Sequence, residues 1–159
     1  DIPNTCASAV RAIKDLKVNY LTIHISSGLE SLKTVKKVSK KIKIVGVTTL
    51  TSFNNKKLKQ IGHTRSIKSL VMHQARLASK ANLDAIVCSA HEVSYVKKIF
   101  KKEIITPGIR LIGDKVNDQK RITTPKKAFE NGATSIVMGR SITQGNIRNN
   151  IKRLIKSLN

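Results

Sequence analysis

The sequence predicts a parallel α/β fold, and three observations predict it. Five short apolar runs rich in Ile and Val recur along the chain. Amphipathic helical stretches separate them at βα spacing, and polar and glycine residues fall just after each apolar run. Such an alternation builds a parallel sheet covered by helices, with ligands gathered outside the C-terminal strand ends. An open doubly wound sheet and part of a (β/α)8 barrel both satisfy the pattern, because periodicity does not give strand order. The 159 residues suit one domain spanning 1–159, and a chain of that size buries roughly 68–70% of its extended surface.

Each element follows from its local chemistry. Asn4 or Thr5 is a candidate cap for a first helix whose Val10, Ile13 and Leu16 face a core. Residues 20–25 read as a strand, and Ser26-Ser27-Gly28 turns the chain. A helix over 29–40 sets Leu32, Val35 and Val38 on one side and lysines on the other. A second strand covers 42–49, a short helix 54–61 closed by Gly62, and a longer helix 65–82. The third strand spans 84–89, followed by a helix over 91–101, and the fourth, 104–106, is stopped by Pro107. The polar stretch 111–122 has no clear period. Thr124-Pro125 is an N-cap with proline at the first helical position, opening a helix over 125–131 with Gly132 as its stop. The fifth strand lies at 135–138. A closing helix over 147–158 turns Ile151, Leu154, Ile155 and Leu158 inward.

Composition narrows the function classes. Thirty-one Lys and Arg against nine Asp and Glu give a net charge of +22, which attracts polyanions. The lysines are spread along the outer faces of helices, however, and aromatics make up only 3% of the chain, too few to interleave for base stacking. The charge is therefore read as a solvated surface, and no nucleic-acid partner is expected. No run approaches about 18 apolar residues, so no membrane-spanning helix is expected, nor is a leader peptide. Cys6 and Cys88 lack paired spacing and a histidine companion, which points to reduced thiols packed as small apolar residues in a cytoplasmic protein.

The chemistry concentrates in 104–143. Two apolar runs there end in glycine and arginine, as Pro107-Gly108-Ile109-Arg110 and Gly139-Arg140. Glycine lets a ligand approach the backbone, and arginine offers a planar fork to phosphate oxygens. With Gln119, these residues make a phosphate cradle; the alternative is that the glycines only permit turns and the arginines are solvated.

Six motifs in register resemble orotidine 5'-monophosphate decarboxylase. They are Asp1-Ile-Pro-Asn-Thr5 with the His24-to-Gly28 turn, Gly46-Val-Thr-Thr-Leu-Thr-Ser52, Val87-Cys-Ser-Ala90, Thr106-Pro-Gly-Ile-Arg110, Gly113 through Asp118-Gln-Lys-Arg121, and Gly139-Arg-Ser-Ile-Thr-Gln144. The resemblance implies a (β/α)8 barrel that removes CO2 from orotidine monophosphate to give uridine monophosphate in pyrimidine synthesis. It implies no metal or organic cofactor, and a homodimer with active sites shared between subunits. By the same resemblance Arg140, the Gly139 backbone and Gln119 hold the phosphate, with Arg110 nearby. Thr51 or Ser52 hydrogen-bonds the pyrimidine, and Pro107 lies against the ring. Ile2 also belongs to the substrate-binding set, Thr5 reaches the neighbouring subunit's substrate, and Asp1 is the last carboxylate of the family's Asp-x-Lys-x-x-Asp motif. In that motif a lysine ammonium stabilises carbanion character and delivers the proton, while alternating charges keep both partners ionised.

One departure stands out. The Asp-x-Lys that precedes the last aspartate in the family motif is not among these residues, and no lysine occupies a matching position. The chain is therefore expected to supply about five βα units, the C-terminal part of a barrel, and to lack turnover by itself. Two other functions fit the pattern less well: a metal-dependent sugar-phosphate decarboxylase or aldolase of the same suprafamily, separable by magnesium dependence, and a basic polyanion-binding module, separable by steep salt dependence. The 111–122 loop is expected to close over phosphate and to be mobile when empty.

Overall fold

The structure is a computed structural model and describes residues 1–114 and 121–158. Five strands, β1 (Tyr20–His24), β2 (Lys43–Val47), β3 (Ala85–Val87), β4 (Glu103–Thr106) and β5 (Ser135–Ile136), form one all-parallel sheet in the order β1-β2-β3-β4-β5. That order decides between the two architectures. A doubly wound sheet reverses direction at a switch point, whereas successive right-handed crossovers in strictly sequential order put every helix on one face. This is the arrangement of a barrel wall.

The larger apolar side chains gather on the face under the helices, while the other face mixes exposed positions with buried Val45 and Ala85. Leu21 and Ile23 of β1, Ile44 of β2, Ile86 of β3, Ile104 of β4 and Ile136 of β5 join the hydrophobic cluster under the helices. Their alternates Tyr20, Thr22 and His24 of β1 and Lys43 of β2 are exposed on the other face, as is Val137 just beyond β5. The helical layer comprises α1 (Pro3–Ala12), α2 (Gly28–Val38), α3 (Asn55–Gln60), α4 (Ile67–Lys80), α5 (Val93–Ile99), α6 (Pro125–Glu130), α7 (Arg140–Thr143) and α8 (Ile147–Leu158). Leu32, Leu83, Phe100, Ile25 and Leu58 are almost wholly buried between the layers. Each such side chain contributes about 1.5–3 kcal/mol.

Close packing explains one glycine. A Cβ on Gly46 would stand 2.8 Å from Leu83 Cδ1 and 2.9 Å from Ile25 Cδ1, so β2 can meet these two buried side chains only without a side chain of its own. A polar tie joins three elements nearby. Asp84 receives Lys36 Nζ at 2.7 and 2.6 Å from α2, and its Oδ2 also accepts the Ile44 N–H of β2 at 2.8 Å. On the opposite face Lys43 and Tyr20 both donate to Glu103, at 2.6 and 2.8 Å, joining the N-terminal ends of β1, β2 and β4.

Several expectations are corrected. Asn4 and Thr5 do not cap α1. Ile2 is the N-cap, extended at φ −69° and ψ 127°, because Pro3 takes the first helical position and disfavours a helical residue before it. Leu16 lies beyond α1 in a 3-10 turn and is 68% exposed. Strands β1, β2, β3 and β5 end before their apolar runs do, as the residues beyond Thr48 and Cys88 turn away to form the rim, whereas β4 begins one residue earlier than expected, at Glu103. Short α7 was not anticipated. The stripe on α8 is not covered: Ile151, Ile155 and Leu158 are exposed, and only Leu154 is half-buried. Amphipathic periodicity was legible in the sequence, but how far the fold buries it was not. No described helix is long and apolar enough to cross a membrane.

Two expected outcomes follow from this packing. Gly46→Ala should destabilise the fold by about 1–3 kcal/mol through overpacking, and an unchanged denaturation midpoint would show that Leu83 and Ile25 yield freely. Burial raises the Asp84 carboxyl, but the Lys36 hydrogen bond, the Ile44 amide and the charges of Lys36 and Lys102 outweigh it and hold the group below its ordinary value of 3.8. Its stabilisation is therefore present above the unfolded value and lost as pH falls through the folded one. Asp84→Asn should lower the urea midpoint near neutrality, with the gap narrowing in acid; an equal gap at both pH values would remove Asp84 as the source.

Candidate active site

The C-terminal strand ends form one rim, where each connection is fixed by its own chemistry. After β4 the chain passes Pro107 and Gly108, whose φ of 76° favours glycine. Ile109 then pairs with Thr123 in a parallel bridge, with Thr123 N–H donating to Gly108 O at 3.2 Å and Arg110 N–H to Thr123 O at 3.0 Å. The outgoing and returning ends of this connection are thereby stapled together. Arg110 is only 7% exposed, and its Nη1 donates to Ile109 O at 2.8 Å.

Arg110 lines a cavity of about 200 Å³ with Arg140, Ser141, Gln144, Asn150, Arg153 and Asp114. Arg153 of α8 donates to Asp114 Oδ1 at 2.9 Å, so the one carboxylate among these lining residues is matched by a guanidinium. Asn150 fixes the α7–α8 corner by donating to Ile142 O and Gln144 O at 3.0 and 2.7 Å. Gly139 caps α7 beside Arg140, and a Cβ built there meets nothing within 4 Å. Open space beside a glycine at an arginine-lined hollow suits a small dianion, since guanidinium forks match phosphate oxygens.

The β2 connection is held from two directions. Thr49 N–H and Oγ1 donate to Gln74 Oε1 of α4 at 3.0 and 3.2 Å. Phe53 N–H donates to Leu50 O at 3.0 Å, closing a turn whose central residues are Thr51 and Ser52. From the far side Arg121 Nη2 donates to Thr49 O and Leu50 O at 3.3 and 3.2 Å, and its Nη1 pairs with Glu92 Oε1. Burial pushes the Glu92 carboxyl above its ordinary value, with the charges of Arg121 and His91 opposing.

The predicted site residues distribute as follows. Arg110, Gly139 and Arg140 come together at the β4 and β5 ends, and Pro107 is half-buried at the start of the same connection. Thr51 and Ser52 share the β2 turn, two strands away from β4. Asp1, Ile2 and Thr5 are exposed at the start of α1; that helix leads into β1, so its first turn lies at the rim end. Gln119 lies outside the described residues, as do 115–120 of the loop expected to move. Gln74, Glu92, Asp114 and Arg153 were missed. Gln74 and Arg153 look like ordinary helix positions in the sequence, and only the fold turns them to the rim.

Sequential parallel strands, one-sided helices and an arginine-lined rim define a protein of the (β/α)8-barrel class. The chain belongs to the orotidine 5'-phosphate decarboxylase / HUMPS family, whose sequence profile matches residues 1–153. Orotidine 5'-phosphate decarboxylase of Wolbachia pipientis subsp. Culex pipiens is 47% identical, covering 99% of this chain and 72% of the relative. That of Buchnera aphidicola is 42% identical, covering 99% and 70%. Among solved structures, orotidine 5'-phosphate decarboxylase from Lactobacillus acidophilus superposes with a TM-score of 0.82 at 27% identity, over 100% of this chain and 71% of that one.

The thiols test the packing beneath the rim. Cys88 is 1% exposed, and burial, with Glu92 adding to it, pushes its thiol up to about 12, while Cys6 is only half-buried. A thiol reagent should label Cys6 in the native protein and Cys88 only after unfolding; two equivalents labelled at equal rates would contradict the burial of Cys88.

Proposed function

We propose that this chain binds orotidine 5'-monophosphate and its product uridine 5'-monophosphate, and serves the decarboxylation that converts one into the other. The cavity lined by Arg110 and Arg140 carries the proposal, because it gathers arginine side chains at the strand ends beside Gly139, where a Cβ meets no described neighbour. The family membership and the relatives' names support the same activity and favour neither the metal-dependent sugar-phosphate chemistry nor a polyanion-binding module.

In this function Arg140, the Gly139 backbone and Gln119 hold the phosphate, with Arg110 beside them. Thr51 or Ser52 meets the pyrimidine, and Pro107 forms an apolar wall. Three inter-strand spacings separate β5 from β2, roughly 14 Å along the sheet and less across its curve, which suits a nucleoside monophosphate laid across the rim. Holding the distant phosphate lets binding energy act at the reacting carbon. There the bond to CO2 breaks, its electron pair stays on the ring carbon, and a proton then replaces the carboxylate. Lys43 is not the donor. It stands at the N-terminal end of β2, roughly 13 Å below the rim, and is held by Glu103 and Tyr20. The residues of this chain thus supply binding, and no proton donor is assigned among them. Residues 1–159 act as one domain contributing about five βα units of a barrel, in a cytoplasmic homodimer where Asp1, Ile2 and Thr5 face a shared site.

Calorimetric titration with uridine 5'-monophosphate tests the assignment. Arg140→Ala should weaken binding roughly 10- to 100-fold, the loss expected for a charge-assisted contact. Gly139→Ala should weaken it with no change in melting temperature, since its Cβ would fill ligand space and meets no atom of the described residues beyond its chain neighbours. Undiminished affinity in Arg140→Ala would sink the phosphate assignment.

A further inference from the structure

The β4 and β2 connections lie on either side of β3, yet one side chain joins them. Arg121 sits on the returning limb of the β4 connection, two residues before Thr123 makes its bridge to Ile109. Its Nη1 pairs with Glu92 at the head of α5, and its Nη2 donates to Thr49 O and Leu50 O. Leu50 O is the same acceptor that closes the turn bearing Thr51 and Ser52. Next to it His91 Nε2 lies 3.2 Å from Ile122 O, so two neighbouring residues ahead of α5 grip this limb. The Arg121 side chain is 14% exposed and that of Glu92 9%. Such a guanidinium is committed to protein acceptors, and turning it toward a ligand would strand a buried carboxylate.

Resting on the function proposed above, we infer that Arg121, held by Glu92, is a positioning residue that sets Thr51 and Ser52 for the pyrimidine ring. Its place differs from that of the arginines lining the cavity: Arg110 and Arg140 lie at the β4 and β5 ends, whereas Arg121 reaches across to the carbonyls of the β2 turn. Gln74 fixes Thr49 from the helical layer and Arg121 fixes Thr49 and Leu50 from the rim, so the turn is pinned from both sides. The planar fork is required. It reaches a carboxylate with one nitrogen and two carbonyls with the other, where an ammonium serves only one set well.

The test compares two ligands, uridine 5'-monophosphate and ribose 5-phosphate, which lacks the base. Calorimetry would be run on the wild-type chain and on Arg121→Gln, Arg121→Lys and Glu92→Gln, with a thermal melt of each. Arg121→Gln should weaken the nucleotide by about tenfold or more, the loss of a charged hydrogen-bond network, and leave ribose 5-phosphate within about twofold. Arg121→Lys should fall between wild type and Arg121→Gln, and decides the matter if the latter does not fold. Glu92→Gln, which keeps the carbonyl contacts possible, should cost less than Arg121→Gln. Unchanged nucleotide affinity in the Arg121 variants, or an equal loss for both ligands, overturns the inference and leaves the proposed function standing. A wild-type chain that binds neither ligand overturns both together.

Discussion

Strictly sequential parallel pairing is the constraint on which the rest of this molecule depends. Each strand lies beside the one before it, so each crossover returns on the same side and the helices form one layer. The hydrophobic cluster then has a single location, between that layer and one face of the sheet. All strand C-termini point to one rim, where residues distant in sequence become neighbours. Asp84 shows how tightly this is held, since one carboxylate ties a helix, a strand start and its own strand together. Gly46 shows the cost of improving on it, because the space for a methyl group is already taken.

Much of the fold was legible because its signals are local. Apolar runs bounded by turn residues marked all five strands, and Thr124 caps α6 through its side chain as its place before Pro125 suggests; Asn54, read as the first residue of a short helix, proves to be the cap of α3. Strand order was not legible, because it is decided by which edges meet in space. The boundaries failed where tertiary demands overrode local preference. Pro3 displaced Asn4 and Thr5 as caps, and residues beyond Thr48 and Cys88 kept β-type sequence while bending away to build the rim. On α8 the stripe of Ile151, Ile155 and Leu158 carries the period of a buried face, yet period alone does not name what covers it.

The candidate site was marked in the sequence by its glycines and arginines and not by its supports. Gly139-Arg140 and the arginine after Pro107-Gly108 are short patterns whose placement after strands already suggests an anion. The structure places both arginines, Arg110 and Arg140, on one cavity. Glu92, Gln74 and Arg153 left no comparable trace, since a glutamate before a helix, a glutamine within one and an arginine on another are commonplace. Their importance arises from distance in space: Gln74 meets Thr49 across 25 positions, and Arg121 meets it across 72. Side chains that hold other side chains have no spacing rule, and so a sequence hides them best.

The α7–α8 corner carries a consequence for how stability is distributed. The first turns of α8 are latched to the arginine cavity by Asn150 and by the Arg153–Asp114 pair, while its last turns rest on half-buried Leu154 and little else. The helix is thus firm at one end and open to fraying at the other. Whatever occupies the cavity opposes every opening that breaks the latch, but not fraying of the last turn, which leaves the cavity intact. Ligand occupancy would be written into the backbone of α8 as a gradient of protection, steepest where Asn150 and Arg153 meet the rim and fading toward Leu158.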